Sequence, residues 1–401
     1  MSETGLQKQN RAISVVEILL CVTQTLNFVG YVSNAYDYTP LFSLSSRLFI
    51  IVNIISFGIF ILEHFKAREK TGSYFVVFLL MLFSVIISYL ANSGGIGLYN
   101  LILSFFAYLS LPMYFIYLRL LKPRRITTFF VVFFAICTAL FFVFCYFFHP
   151  ERTADGSLTM GYMNQNQAGM FLFQNICVLF VVLRLTKKDF YKFLLFAVIV
   201  FEIYEIYMTS SRISLLCAII LVLMMLFKNR IKFGNATVLL FVFIPVIFVI
   251  VLEIMYANGV WADLEILGKP FYSGREELYR NVFSDFLKHP IFGNYGKYQL
   301  GNAHNAYVSV LSSVGIVGFI IFIAFYLSAI FEYKREISTM IQKIAFVGIL
   351  LIFLQSTAEA ALMVSGSMYS AATSALLFFM TFGKKECEEL NIRDGFIDRS
   401  A

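Results

Sequence analysis

Residues 129–148 read FFVVFFAICTALFFVFCYFF, twenty positions without a charge. A helix that spans a bilayer needs about 20 such residues, because only a helix satisfies its own backbone hydrogen bonds in hydrocarbon. A barrel strand would alternate apolar and polar residues over about 10 positions instead. Thr237–Leu252 and Ile316–Ile330 are nearly as unbroken. Working outward from these runs with the same length criterion gives about twelve spans, at 12–31, 42–62, 73–92, 98–120, 126–148, 166–186, 190–208, 211–228, 236–256, 304–331, 341–360 and 366–383. The expected fold is an all-α polytopic membrane protein. Residues 1–383 form one transmembrane domain, 257–303 a long outside loop between helices 9 and 10, and 384–401 a cytoplasmic tail. Composition agrees: 60% of the 401 residues are hydrophobic and 14% charged, against about 45–50% and about 25% in a soluble domain. A soluble enzyme, a disordered chain and a collagen are thereby excluded.

Orientation follows from the cations. Of the 31 Lys and Arg, Arg47, Arg152, Arg212, Lys269, Arg275, Arg280, Lys288 and Lys297 fall on one set of connecting segments, and all the rest on the other. The positive-inside rule makes the rich set cytoplasmic and puts both termini there. It also accounts for the net charge of +7: the basic loops suit topology and anionic headgroups, so no nucleic-acid partner is expected. Five of the six cysteines lie in apolar spans, and none has metal-ligand spacing. No metal is expected.

The outside segments carry the unusual residues. Ser273-Gly274-Arg275-Glu276 has the form of a capping box, and Leu278, Val282, Phe283, Phe286 and Leu287 then recur at helical spacing. This predicts a short amphipathic helix on the membrane surface, with Tyr279 and Arg280 on its other faces. Arg275 in the first turn opposes the helix dipole, and an anion held by the guanidinium and the free N–H groups would offset that cost. The plainer alternative is an Arg snorkelling to headgroups. Arg212 opens a span directly after Ser210 and Ser211, where a charge needs a partner or a wet cavity; the plainer reading pairs it with Glu202 or Glu205. Glu359 is a further boundary carboxylate, among small neighbours. His304 closes the long loop, can accept a proton near neutral pH, and has Asn305 beside it to orient it. His289 precedes a proline and reads first as a helix stop. Asn164 and Asn166, at the entry of the sixth span, suit either helix capping or sugar hydroxyls.

In order, Gly161…Asn164-Gln-Asn166, Ser211-Arg212, Ser273-Gly274-Arg275, His289-Pro290-Ile-Phe-Gly293 and His304-Asn305, followed by Gly315 and Gly318, resemble the bacterial O-antigen ligase and O-antigen/capsule polymerase family. The likeness runs roughly from Gly161 to Phe331. It implies a C-type (GT-C-like) membrane glycosyltransferase of the bacterial cytoplasmic (inner) membrane, acting at its periplasmic or extracellular face. Donor and acceptor would be undecaprenyl-diphosphate-linked oligosaccharides, and a flippase and a chain-length regulator of the same pathway would be partners. By matching position, Arg212 and Arg275 would hold the donor diphosphate and His304 would activate the acceptor hydroxyl. Ser211, Asn164, Asn166, Tyr279, Arg280, His289, Asn305 and Glu359 are the expected substrate-binding residues. No cofactor is expected, since a lipid-linked donor arrives activated.

These roles suit the residue types. Forked Arg neutralises a diphosphate leaving group well, and a sugar hydroxyl attacks once a base takes its proton. The expected activity is polymerisation of lipid-linked repeat units, with ligation of a finished glycan to lipid A core as the alternative. A lipid-glycan flippase would place charges and broken helices near the midplane, and a non-catalytic scaffold would leave Arg212, Arg275 and His304 without a purpose.

Overall fold

The computed structural model describes residues 3–67, 73–91, 98–118, 121, 123–162, 164–227, 234–261, 263–272, 275–295, 304–359, 362, 371–390 and 392. Their order is α1 (Glu3–Ala35), α2 (Thr39–Ala67), α3 (Ser73–Ala91), α4 (Leu98–Tyr117), α5 (Arg125–Phe148), α6 (Gln165–Leu185), α7 (Asp189–Met208), α8 (Arg212–Leu226), α9 (Asn235–Ala257), β1 (Glu265–Ile266), β2 (Lys269–Pro270), α10 (Arg275–Lys288), α11 (Ala306–Glu336), α12 (Met340–Gln355), α13 (Ala371–Phe379) and α14 (Lys384–Glu389). The twelve expected spans each fall on a helix. Among the described residues, five helical stretches are long and apolar enough to cross a membrane: Thr39–Ile59, Arg125–Phe148, Gln165–Leu185, Asn235–Tyr256 and Ala306–Glu336. Phe75–Ala91, Arg212–Leu226 and Met340–Gln355 are shorter apolar helices. The chain is an all-α, multi-pass membrane protein.

The apolar runs sort by position in the bundle. α6 is buried along most of its length, packed among α5, α7, α8, α12 and α13. α9 is more apolar yet mostly uncovered, as befits a helix whose outward face meets lipid tails. Phe115, Phe322 and Tyr326 sit at the centre, edge to face with one another or with Phe325 and Phe353. Offset and edge-on ring packing adds to plain area burial there.

The tenth expected span is not one continuous helix. Gly315 (φ 67°, ψ −172°) breaks α11, which frees backbone N–H groups inside an apolar bundle. Such groups cost several kcal/mol in lipid unless paired. The segment after α10 supplies the partners. Ile316 N–H donates to Pro290 O (2.9 Å), Val317 N–H to Ile291 O (3.3 Å), and Asn294 N–H to Ser312 O (2.9 Å). Ser88 Oγ of α3 donates to Ser313 O at 2.8 Å. A Cβ on Gly315 would run into the Ile291 carbonyl, and one on Gly293 into the Gly315 amide. The two glycines are thus required by one close backbone crossing.

α10, the expected amphipathic helix, packs one face against the bundle. Its Tyr279 and Val282 are buried against Val249 of α9 and Val308 of α11. Leu287, on the expected apolar stripe, is exposed. Ser273 and Gly274, which begin the expected capping box, lie outside the described residues.

Candidate active site

Several helix starts collect at one end of the bundle, and each is set by a local rule. Asn164 caps α6, its Oδ1 accepting Gln167 N–H at 2.8 Å. Asn305 caps α11, its Oδ1 accepting from Tyr307 N–H (2.9 Å) and Val308 N–H (3.0 Å). Both are ordinary capping geometry, so Asn164 takes the capping alternative. Asn305 does not serve as the expected orienter of His304. Its Nδ2 donates to Thr357 O at 2.6 Å, and Ala306 N–H donates to Ser356 O at 3.1 Å. These bonds tie the start of α11 to the end of α12.

That tie brings Glu359 to the site. Its side chain is buried, with one oxygen 3.3 Å from Arg275 Nη2 and the other 3.6 Å from His304 Nδ1. The second distance is in ion-pair range and longer than a hydrogen bond. Nδ1 faces the carboxylate, and Nε2 is the ring nitrogen on the other side. His304 has φ 46°, a left-handed backbone that is uncommon outside glycine, and its side chain is half exposed. Glu359 thus stands between His304 and Arg275, within ion-pair distance of both.

Beside this trio lies a cavity of about 380 Å³. Its polar half carries Arg212 from the start of α8, Lys269 from β2 and Arg275 from the start of α10; Gln165 and Asn166 line it from α6. Its other half is apolar, with Leu216 of α8 and Phe248 and Leu252 of α9. Leu216 and Phe248 are among the exposed apolar side chains, so this wall opens toward the surface that meets lipid. No carboxylate lines the cavity among the described residues.

Arg212 does not make the plainer pairing with Glu202. Glu202 is buried and accepts from Asn175 Nδ2 at 2.8 Å, while Arg212 Nη1 donates to Pro270 O at 3.1 Å. A polar network beneath fixes the start of α8. Gln174 Nε2 donates to Gln355 Oε1 (3.2 Å), Gln355 Nε2 to Ser214 Oγ (3.1 Å), and Ser211 Oγ to Ser214 Oγ (3.0 Å). Glu359 N–H closes the set on Gln355 O at 3.2 Å. A Cβ on Gly169 would collide with Ser211, which is why α6 and α8 can approach so closely.

The remaining expected residues divide. Tyr279 is buried at the cavity, its hydroxyl beside Arg275 and Asn305; burial pushes the hydroxyl up, and those two neighbours oppose the shift. Arg280 leaves the cavity and lies 5.3 Å over the Tyr256 ring. His289 acts through its backbone, its carbonyl accepting Gly293 N–H at 2.9 Å.

Lys269 was legible only as an outside charge. Its signal is the dipeptide Leu267-Gly268, whose φ angles of 52° and 68° form the two-residue turn of a hairpin pairing Ile266 with Lys269. The coupling of Glu359 to His304 had no local signal, because the two are brought together by helix ends far apart in sequence.

Fold and site together define a polytopic helical membrane protein with a cationic cavity beside a His–Glu pair. The family comparison bears on this class directly. Residues 197–323 match the model of the O-antigen ligase family, so the resemblance read from the sequence is shown over that stretch. The match covers Arg212, Lys269, Arg275 and His304 and stops short of Glu359. No curated protein matches the chain.

Proposed function

We propose that the chain is a membrane glycosyltransferase of ligase type, moving a glycan from a polyprenyl-diphosphate donor to a hydroxyl acceptor at the outer face of a bacterial inner membrane. The observation that carries this reading is Glu359, which joins a cation of the cavity, Arg275, to the base, His304. The donor diphosphate lies against Arg212 and Arg275, and its lipid runs down the apolar wall of α8 and α9. The acceptor hydroxyl attacks the anomeric carbon and gives its proton to His304 Nε2. The bond from that carbon to the diphosphate oxygen breaks, and its electron pair leaves with the lipid diphosphate. Arg guanidinium groups stabilise the charge that develops there, and Glu359 stabilises the imidazolium. Cations at the leaving group make a metal unnecessary, which chelation with EDTA tests directly. In this reading all twelve hydrophobic helices cross the bilayer in a C-type glycosyltransferase arrangement, with both termini cytoplasmic.

The match to O-antigen ligases supports ligation over the polymerisation expected from the sequence. Purified protein is given a lipid-linked oligosaccharide, first alone and then with lipid A core. Product formed only with the second acceptor supports ligation. A ladder of longer glycans from donor alone makes the chain a polymerase, and an intact donor delivered across vesicles makes it a flippase.

A further inference from the structure

We propose that the groove between α9 and α10 is a second ligand site, which holds one anionic phospholipid with its phosphate on Arg280. The groove shares no lining residue with the cavity assigned to the donor, so the two readings stand or fall separately.

Helical geometry separates the two sites. α9 turns Phe248, Leu252 and Tyr256 to the cavity. Ile250 and Ile254, two residues on from the first two of these, lie about 200° around the helix and face the groove instead. α10 divides in the same way. Tyr279 lines the cavity, while Arg280, Phe283, Ser284 and Leu287 recur at helical spacing along the groove. The space between the two helices is about 530 Å³.

The groove has a polar end and an apolar end. Arg280 lies 5.3 Å over the ring of Tyr256, at the end of α9 that reaches the cavity cations. Ile254 and Ile250 follow down the helix, the second about 9 Å from Tyr256 at 1.5 Å per residue, and both are exposed. Residues Asn235–Tyr256 are long and apolar enough to cross a membrane. Arg280 therefore stands at the boundary of the hydrocarbon and the two isoleucines inside it. The phosphate and the acyl chain of a phospholipid come in the same order.

Charge then selects among lipids. A guanidinium over a ring keeps its in-plane N–H donors, which suit a phosphate. Ser284, one turn on, adds a hydroxyl to the groove. Among the described residues no carboxylate lines the groove, so none is there to hold the ammonium of a zwitterionic headgroup. The chain matters as much as the phosphate. An ion on an exposed arginine is screened by salt, whereas an acyl chain over Ile250, Ile254 and Leu287 adds apolar burial.

The test uses purified, delipidated full-length protein and native mass spectrometry with three probes: phosphatidylglycerol, phosphatidylcholine with the same acyl chains, and glycerol phosphate. Wild type should hold its first phosphatidylglycerol at least about tenfold tighter than phosphatidylcholine. Other basic side chains also attract anionic lipid, so the decisive figure is the change made by Arg280→Gln. That variant should lose most of the preference by weakening phosphatidylglycerol alone. Ile250→Ala with Ile254→Ala keeps the arginine and should weaken both lipids. Unfolding midpoints matching wild type show that the variants are folded. Equal wild-type affinity for the two lipids, or a preference unchanged in Arg280→Gln, overturns the proposal. So does a double alanine variant that binds both lipids normally. Glycerol phosphate held as tightly as phosphatidylglycerol assigns the site to a free phosphate and overturns the lipid. Each of these outcomes leaves the donor reading intact.

Discussion

Glu359 holds His304 and Arg275 at once, one carboxylate oxygen on each, at 3.6 and 3.3 Å. This single side chain connects the group that would take a proton to a group that would hold the leaving charge. Of the two imidazole nitrogens, Nδ1 is the one that faces the carboxylate.

Replacing the carboxylate by its neutral isostere separates shape from charge. Glu359→Gln should leave the fold intact and lower kcat by about 10²–10⁴, the range in which positioned acid–base groups and their orienting carboxylates act. Donor KM should change much less. Single-turnover kinetics with a lipid-linked donor measure both. A KM effect with normal kcat would make Glu359 a binding residue only.

Beneath the site, Gln355 joins Gln174 of α6, Ser214 of α8 and, through its backbone, Glu359. Gln355→Leu should destabilise by about 1–3 kcal/mol, the usual cost of leaving buried polar partners unmet. It should also reduce kcat at a temperature where the variant is fully folded, because the starts of α8 and α11 are no longer in register. Thermal unfolding in detergent, run beside turnover at low temperature, separates the two effects.

At the break in α11, Gly315→Ala should be strongly destabilising. A side chain there is strained by φ 67° and meets the Ile291 carbonyl. Held backbone strain alone costs about 1–3 kcal/mol, and lost pairing of Ile316 and Val317 adds to it. A lower unfolding midpoint in detergent is the expected result; an unchanged one would mean that the segment after α10 docks loosely.

Binding of the donor should weaken at alkaline pH sooner than an ordinary lysine would allow. Burial pushes the Lys269 ammonium down, Asp155 opposes this, and Arg212 and Arg275 push it further down. Only the protonated form attracts phosphate, so affinity is present below the lowered pKa and is lost as pH rises through it. An unperturbed lysine titrates near about 10.4. Lys269→Arg stays charged and should remove this limb from a pH titration of lipid-diphosphate binding.

Much of the architecture was legible because apolar length is a strong signal. The run at 129–148 falls within α5 (Arg125–Phe148), and each expected span overlaps a helix, though α1 begins nine residues before the span expected at 12–31. The break at Gly315 was not legible, since an apolar run continues on both sides and the compensating carbonyls come from Pro290 and Ile291. Arg212, Arg275 and His304 stood out because charges at the ends of apolar runs demand a reason. Their grouping around one cavity did not, and neither did the roles of Lys269 and Glu359, which depend on a hairpin and on a helix end. Asn164 and Asn305 both cap helices in the fold, the alternative that the sequence offered for Asn164 and not the orienting role expected of Asn305.

The most direct test of the account follows the donor itself. Purified wild type and His304→Ala are mixed with a polyprenyl-diphosphate-linked glycan and a hydroxyl acceptor, and release of polyprenyl diphosphate is measured together with donor binding. The account predicts release by wild type, none above background by His304→Ala, and similar donor affinity in both. Undiminished release by His304→Ala would contradict it, because the base would then lie elsewhere.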